Sequence, residues 1–233
     1  MLTTTMQRLA ADVAALSQGL GGVLRVGCFE SVGSSLLPAA LESFLQDYPH
    51  VRVVLTELAD DGELMSQLDA DELDLSFVVF PLAPGAFESH ALIEDPYVLV
   101  VAEDSSMAGI DGAVDLDDYP EVPLVGFGAM REVHAIENRL GRPAYSNRIV
   151  FRSNQNSTLL SLVRRGHVAA VLPRLAVLPA PAGLAILPLR RVSPRIVGMA
   201  WHRHRPLSEP ASGFVRALEQ VVSELGTQFR FES

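Results

Sequence analysis

From Val23 onward, short apolar runs of strand length alternate with amphipathic stretches of helical period, and this alternation constrains the fold more than any other feature. Val23-Leu24-Arg25-Val26-Gly27 reads as a strand, and Ser34–Gln46 as a helix with Leu37, Leu41, Phe44 and Leu45 turned inward. Val51–Leu55 is a second strand, Glu63–Leu68 a short second helix, and Leu73–Val79 a third strand closed by Pro81 and Pro84. Asp60, three residues before Glu63, gives that second helix a capping-box-like start. Strands separated by helices pair in parallel through crossover connections, with helices covering both sheet faces.

The second half repeats the pattern. Val98–Ala102 and Leu124–Gly126 read as strands, Met130–Leu140 as a helix, Ile149–Phe151 as a strand, Ser157–Arg165 as a helix and Ala169–Leu172 as a strand. Pro173 to Pro188 is proline-rich and leaves little room for a helix, so a loop is expected there. Arg195–Trp201 is a late strand and Glu209–Leu225 a long terminal helix. The predicted class is therefore α/β, with two Rossmann-like lobes joined by crossing strands. Lobe I takes residues 23–98 and 199–227, and lobe II takes 99–198. Ahead of them, Leu2, Met6, Leu9, Val13, Leu16 and Leu20 recur with a period of 3.5, the narrow seam of a dimerising helix, and Gly19, Gly21 and Gly22 stop it. A helix packing on its own domain is the plainer alternative.

Composition narrows the chemistry. The net charge of -10 disfavours a nucleic-acid surface, which needs a clustered positive field. All 18 basic residues are Arg, so Schiff-base chemistry and the phosphate-loop Lys are excluded. The single cysteine, Cys28, allows neither an internal disulfide nor a thiolate zinc site, and reads as a small core residue. The longest apolar runs, such as Val98–Ala102, are far shorter than the roughly 20 residues of a membrane span. With no secretory signal pattern at Met1–Thr5, a cytoplasmic location is expected.

Several segments, in order, resemble one family. Gly22-Val23-Leu24-Arg25-Val26-Gly27, Leu36-Leu37-Pro38 with Leu41 and Phe44, Tyr48-Pro49 and Val51-Arg52-Val53 resemble the opening of LysR-type effector domains. Glu72-Leu73-Asp74-Leu75, Glu94-Asp95-Pro96-Tyr97-Val98-Leu99-Val100, Leu159–Val163 with Gly166, and Val171-Leu172-Pro173 continue the resemblance to about Val222. It implies a type 2 periplasmic-binding-protein-like fold and a ligand-sensing domain of a LysR-type transcription regulator. The effector would sit in the cleft between the lobes, and the signal would pass through rearrangement of a homodimer or tetramer. Residues 1–20 would be the remnant of the dimerising linker helix, and promoter DNA would be contacted only by a winged helix-turn-helix absent from this sequence. The resemblance implies no cofactor and no membrane partner, and the effector is expected to be an anion or a zwitterion.

The site candidates follow strand ends, where open α/β sheets bind ligands. The turn Ser31, Val32, Gly33, Ser34 comes after the first strand. Ser31 matches a position where relatives of this kind hold effector with a hydroxyl, while Ser34 or Ser35 could simply cap the next helix. Asp60 stands where such relatives often carry Ser or Thr, and capping alone would explain it. Val79, Phe80 and Pro81 end the third strand, Gly126, Phe127 and Gly128 end a second-lobe strand, and Asn154 and Gln155 precede a helix. Asn154 or Asn156 could be that helix's cap. Met199 lies on the late strand beside Trp201, itself expected in the core. His202-Arg203-His204-Arg205 has two-residue spacing but no carboxylate or Cys partner in sequence, and reads as a solvated turn rather than a metal site. No catalytic triad, phosphate loop or paired-carboxylate motif assembles, so no enzyme is expected. A solute-binding protein for transport shares the two-lobed plan and is the alternative.

Overall fold

In the computed structural model, residues 22–82, 85–128 and 145–226 are described. The expected helices at residues 1–20 and 130–140 lie outside them. The chain forms two units. One is built from the residues up to Ile93 and from Ile196 onward, the other from Glu94 to Arg195. Both boundaries fall earlier than the expected 98/99 and 198/199, because pairing decides them. Tyr97 and Val98 already pair with Pro173 and Leu172 in the second sheet, whereas Ile196 and Val197 pair with Phe80 and Val79 in the first.

The first unit contains β1 (Val23–Cys28), β2 (Arg52–Glu57), β3 (Leu75–Phe80), β4 (Phe87–Asp95) and β10 (Arg195–His202), in the order β2-β1-β3-β10-β4. β1 runs parallel to β2 and β3, and β10 runs antiparallel to β3. Its helices are α1 (Glu30–Ser35), α2 (Leu37–Asp47), α3 (Asp61–Asp69) and α5 (Glu209–Leu225). α5 packs on α2 with the Phe214 ring edge-on to Phe44, centroids 5.5 Å apart, and Leu64 and Leu68 of α3 are buried.

The second unit contains β5 (Tyr97–Ala102), β6 (Leu124–Gly126), β7 (Ile149–Arg152), β8 (Ala169–Pro173) and β9 (Leu184–Pro188), in the order β7-β6-β8-β5-β9, with α4 (Asn156–Val163). Every residue of β5 is buried, as its unbroken apolar run requires. Two expectations fail locally. The stretch from Pro173 to Pro188 is not all loop: it holds a 3-10 turn at Arg174–Val177 and β9, whose Ala185 and Leu187 pair with Val101 and Leu99. β4 was not foreseen, because Phe87–Asp95 carries Glu88, His90 and Glu94 on a strand exposed along most of its length.

Gly198 marks a close approach between β10 and β4. A Cβ there would collide with the His90 carbonyl oxygen and come within 3.0 Å of the Ala91 Cα, neither of which can rotate away. Gly198→Ala is therefore expected to cost about 1–3 kcal/mol, as overpacking does in a tight core, measured by urea unfolding.

Candidate functional site

Because β1, β2 and β3 are parallel, their carboxyl ends lie along one edge of the first sheet. The expected turn after β1 is helical instead. Phe29 is the extended N-cap residue, and its carbonyl accepts the N–H groups of Val32 and Gly33. The Ser34 and Ser35 hydroxyls do not cap; they donate back to the Glu30 and Ser31 carbonyls one turn earlier. Pro38, which has no N–H, lies in the first turn of α2. Ser31 is 5% exposed and Val32 is fully buried, so the Val32 side chain belongs to the core rather than to a ligand surface.

Sequence reasoning missed Glu57. It ends β2, is the register partner of Cys28, and lays its carboxylate over Gly33, where a Cβ would come within 2.7 Å of Oε2. The available signal was an acid at the end of an expected strand, and periodicity alone does not reveal such a contact. Asp60 is the N-cap of α3, its Oδ1 accepting the Gly62 N–H at 2.9 Å. Val79 and Phe80 are half-buried and Pro81 is exposed at the end of β3. Met199 is fully buried opposite Phe77, so its expected place among ligand-contacting side chains is corrected to the core. Trp201, expected in the core, is half-buried and donates its indole N–H to Glu88 at 3.2 Å.

β6, β7 and β8 likewise end on one edge of the second sheet. Gly126 and Phe127 are buried there, and the Arg152 guanidinium donates to the Phe127 carbonyl at 2.8 Å. Asn154 does not cap α4, whose N-cap residue, Gln155, makes no side-chain capping bond. Its Oδ1 accepts the Gly128 N–H at 2.9 Å instead. An N–H can be accepted only by the amide oxygen, so this bond fixes the amide's orientation and directs its NH₂ donors to other acceptors. A Cβ at Gly128 would press to 2.5 Å from that oxygen. Among the described residues, no group of His, Cys, Asp and Glu could hold a metal ion. His204 donates its N–H to the His202 ring nitrogen, with Asp69 4.0 Å from the far side of His202.

Burial, with the Glu57 charge as a smaller contributor, pushes the Cys28 thiol up to about 12. The thiol therefore stays protonated at neutral pH and is a poor nucleophile.

Each of the two units is thus an α/β layer on a mixed five-stranded sheet whose parallel strands end along one edge. The chain belongs to the LysR family: residues 17–223 match the LysR substrate binding domain. It is 26% identical over 225 residues to the uncharacterized HTH-type transcriptional regulator YfeR of Shigella flexneri, covering 92% of this chain and 68% of that protein. It is 27% identical to the DNA-binding transcriptional dual regulator OxyR of Escherichia coli K12, over 90% of this chain and 68% of that protein. The C-terminal domain of a probable LysR family regulator from Rhodococcus sp. RHA1 superposes with a TM-score of 0.71 at 26% identity, covering 84% of this chain and 98% of that one. The chain is thus a ligand-sensing regulatory domain of a transcription factor, with the type 2 periplasmic-binding-protein-like fold. The transport alternative finds no support among these relatives.

A raised thiol pKa makes stability fall as pH rises. Between pH 9 and 12 the unfolded chain loses the Cys28 proton while the folded chain keeps it. Urea unfolding at pH 8 and pH 10 is expected to show a steeper loss of stability for the wild type than for Cys28→Ala. Equal losses would contradict the assignment.

Proposed function

We propose that this domain senses a small zwitterion of the amino-acid type at its strand ends. One observation carries the reading: the Glu57 carboxylate lies over Gly33 in the short helix that also holds Ser31, at the carboxyl edge of three parallel strands. A carboxylate there favours an ammonium group on the ligand and repels a dicarboxylate. On the second unit, the Asn154 NH₂ donors and the Arg152 guanidinium, bonded at the adjacent residues Gly128 and Phe127, favour an acceptor such as a carboxylate. An amino acid is compatible with either set. Ser31, Gly33, Ser34, Asp60, Val79, Phe80 and Pro81 on the first unit, and Gly126, Phe127, Gly128, Asn154 and Gln155 on the second, form the proposed contact sets.

Dimerisation belongs to the same reading. β2 and β7 are sheet edges, and each exposes neighbouring apolar residues: Val54 and Leu55 on one, Val150 at 64% and Phe151 at 48% on the other. Apolar edge strands exposed among the described residues are candidate pairing surfaces, and a second copy of the chain is the proposed partner. Promoter DNA is proposed to be read by a head outside these 233 residues, since the chain's net charge of -10 opposes phosphate contact. A cytoplasmic location is part of the same proposal, since action on a promoter requires it. Among the described residues no helix is long and apolar enough to cross a membrane.

Thermal-shift measurements with glycine, larger amino acids, succinate and a diamine test the ligand class. An amino acid is expected to raise the melting temperature, with Glu57→Gln and Ser31→Ala weakening its binding several-fold, the equivalent of about 0.5–1.5 kcal/mol for a lost hydrogen bond. Stabilisation by succinate alone would overturn the zwitterion. Sedimentation is expected to show a dimer at micromolar concentration that Leu55→Asp combined with Phe151→Asp converts to monomer.

A further inference from the structure

β4 and β10 are neighbours at one side of the first sheet. Arg195 meets Asp95, Gly198 approaches His90 and Ala91, and Trp201 reaches Glu88, so one residue number falls as the other rises and the two strands run antiparallel. Both adjoin the division of the chain, at 93/94 and 195/196, and together they form its two connections among the described residues. At the end of this ribbon, the side chains of Asp95 and Arg195 are 0% and 1% exposed. Asp95 Oδ2 accepts both the Nε and Nη2 donors of Arg195 at 2.8 Å. Its Oδ1 accepts the Leu175 N–H at 2.9 Å, and the neighbouring Pro96 carbonyl accepts the Arg174 N–H at 2.8 Å. One carboxylate thus joins the last residue of β4, the first residue of β10 and the 3-10 turn that follows β8. Away from water, charge-assisted bonds of this geometry are strong, and neither charge tolerates separation from the other.

We propose that the Asp95–Arg195 pair is a clamp that fastens both connecting strands to the second unit as a single ribbon, so that a displacement reaches the two strands together. Asp95 and Arg195 are positioning residues in this account, and the clamp does not depend on which effector binds. A staple confined to the second unit would stabilise the Arg174–Val177 turn and leave the ribbon alone, which makes the two roles separable.

Native-state hydrogen exchange on the 233-residue chain, read by mass spectrometry, distinguishes them. In Asp95→Asn, exchange is expected to accelerate about tenfold or more in residues 89–93 and 196–200 of the first unit as well as at Leu175, as the loss of a bond to a charged group implies. Acceleration confined to residues 170–180, or to one of the two strands, would overturn the clamp. The double variant Asp95→Leu/Arg195→Met replaces both charges with apolar groups and leaves no buried charge alone, so it decides the matter should the single variant not fold. It is expected to retain wild-type protection in residues 75–78 and 98–101 while residues 89–93 and 196–200 exchange faster. Wild-type protection of the ribbon in that variant would refute the proposal.

Discussion

A carboxylate and a guanidinium shielded almost completely from water hold the place where this chain passes between its two units. Removing one partner of such a pair typically costs about 3–5 kcal/mol, because the remaining charge is stranded. Each unit has its own core. The first rests on Leu24, Val26, Phe77 and Phe214, the second on the fully buried β5 and its neighbours β8 and β9. β4 and β10 are neighbours in the first sheet, and Asp95 and Arg195 meet where those strands adjoin the second unit. Burial also lowers the pKa of Arg174, an effect the Asp95 charge opposes, so a second guanidinium feels the same carboxylate.

Much of this architecture was legible in the sequence, for identifiable reasons. β6 at Leu124–Gly126 and α5 at Glu209–Leu225 match their expected bounds, because each has clear period and clear stops, with Ser208 capping α5 through the Ala211 N–H. β4 escaped because its exposed, charged residues lack the apolar run that marks a buried strand. β9 escaped because Pro179, Pro181 and Pro188 suggested a loop, although Leu184–Leu187 between them pair on an edge of the sheet, where Pro188 does no harm. The start of α1 was missed because its serines resemble caps in sequence while bonding backward in three dimensions.

The site was less legible than the fold, since strand-end residues are brought together by register and not by spacing. Strand-end position selected Asn154, and the resemblance added Ser31 and Asp60. The capping role expected of Asp60 is what it performs, whereas the bond of Asn154 to Gly128 had no signal in the sequence. Glu57 became visible only when β2 was placed beside β1, with Cys28 opposite it. The same neighbour helps keep the single thiol of these 233 residues protonated. Sensing by a thiol pair within this sequence is excluded by count.

The most direct test is a crystal structure of the chain grown with the amino acid that most raises its melting temperature. The account predicts ligand density at the carboxyl ends of β1–β3, with an ammonium group within hydrogen-bond distance of Glu57 and the ligand touching Ser31. Density bound elsewhere on the chain, with Ser31 and Glu57 untouched, would contradict it.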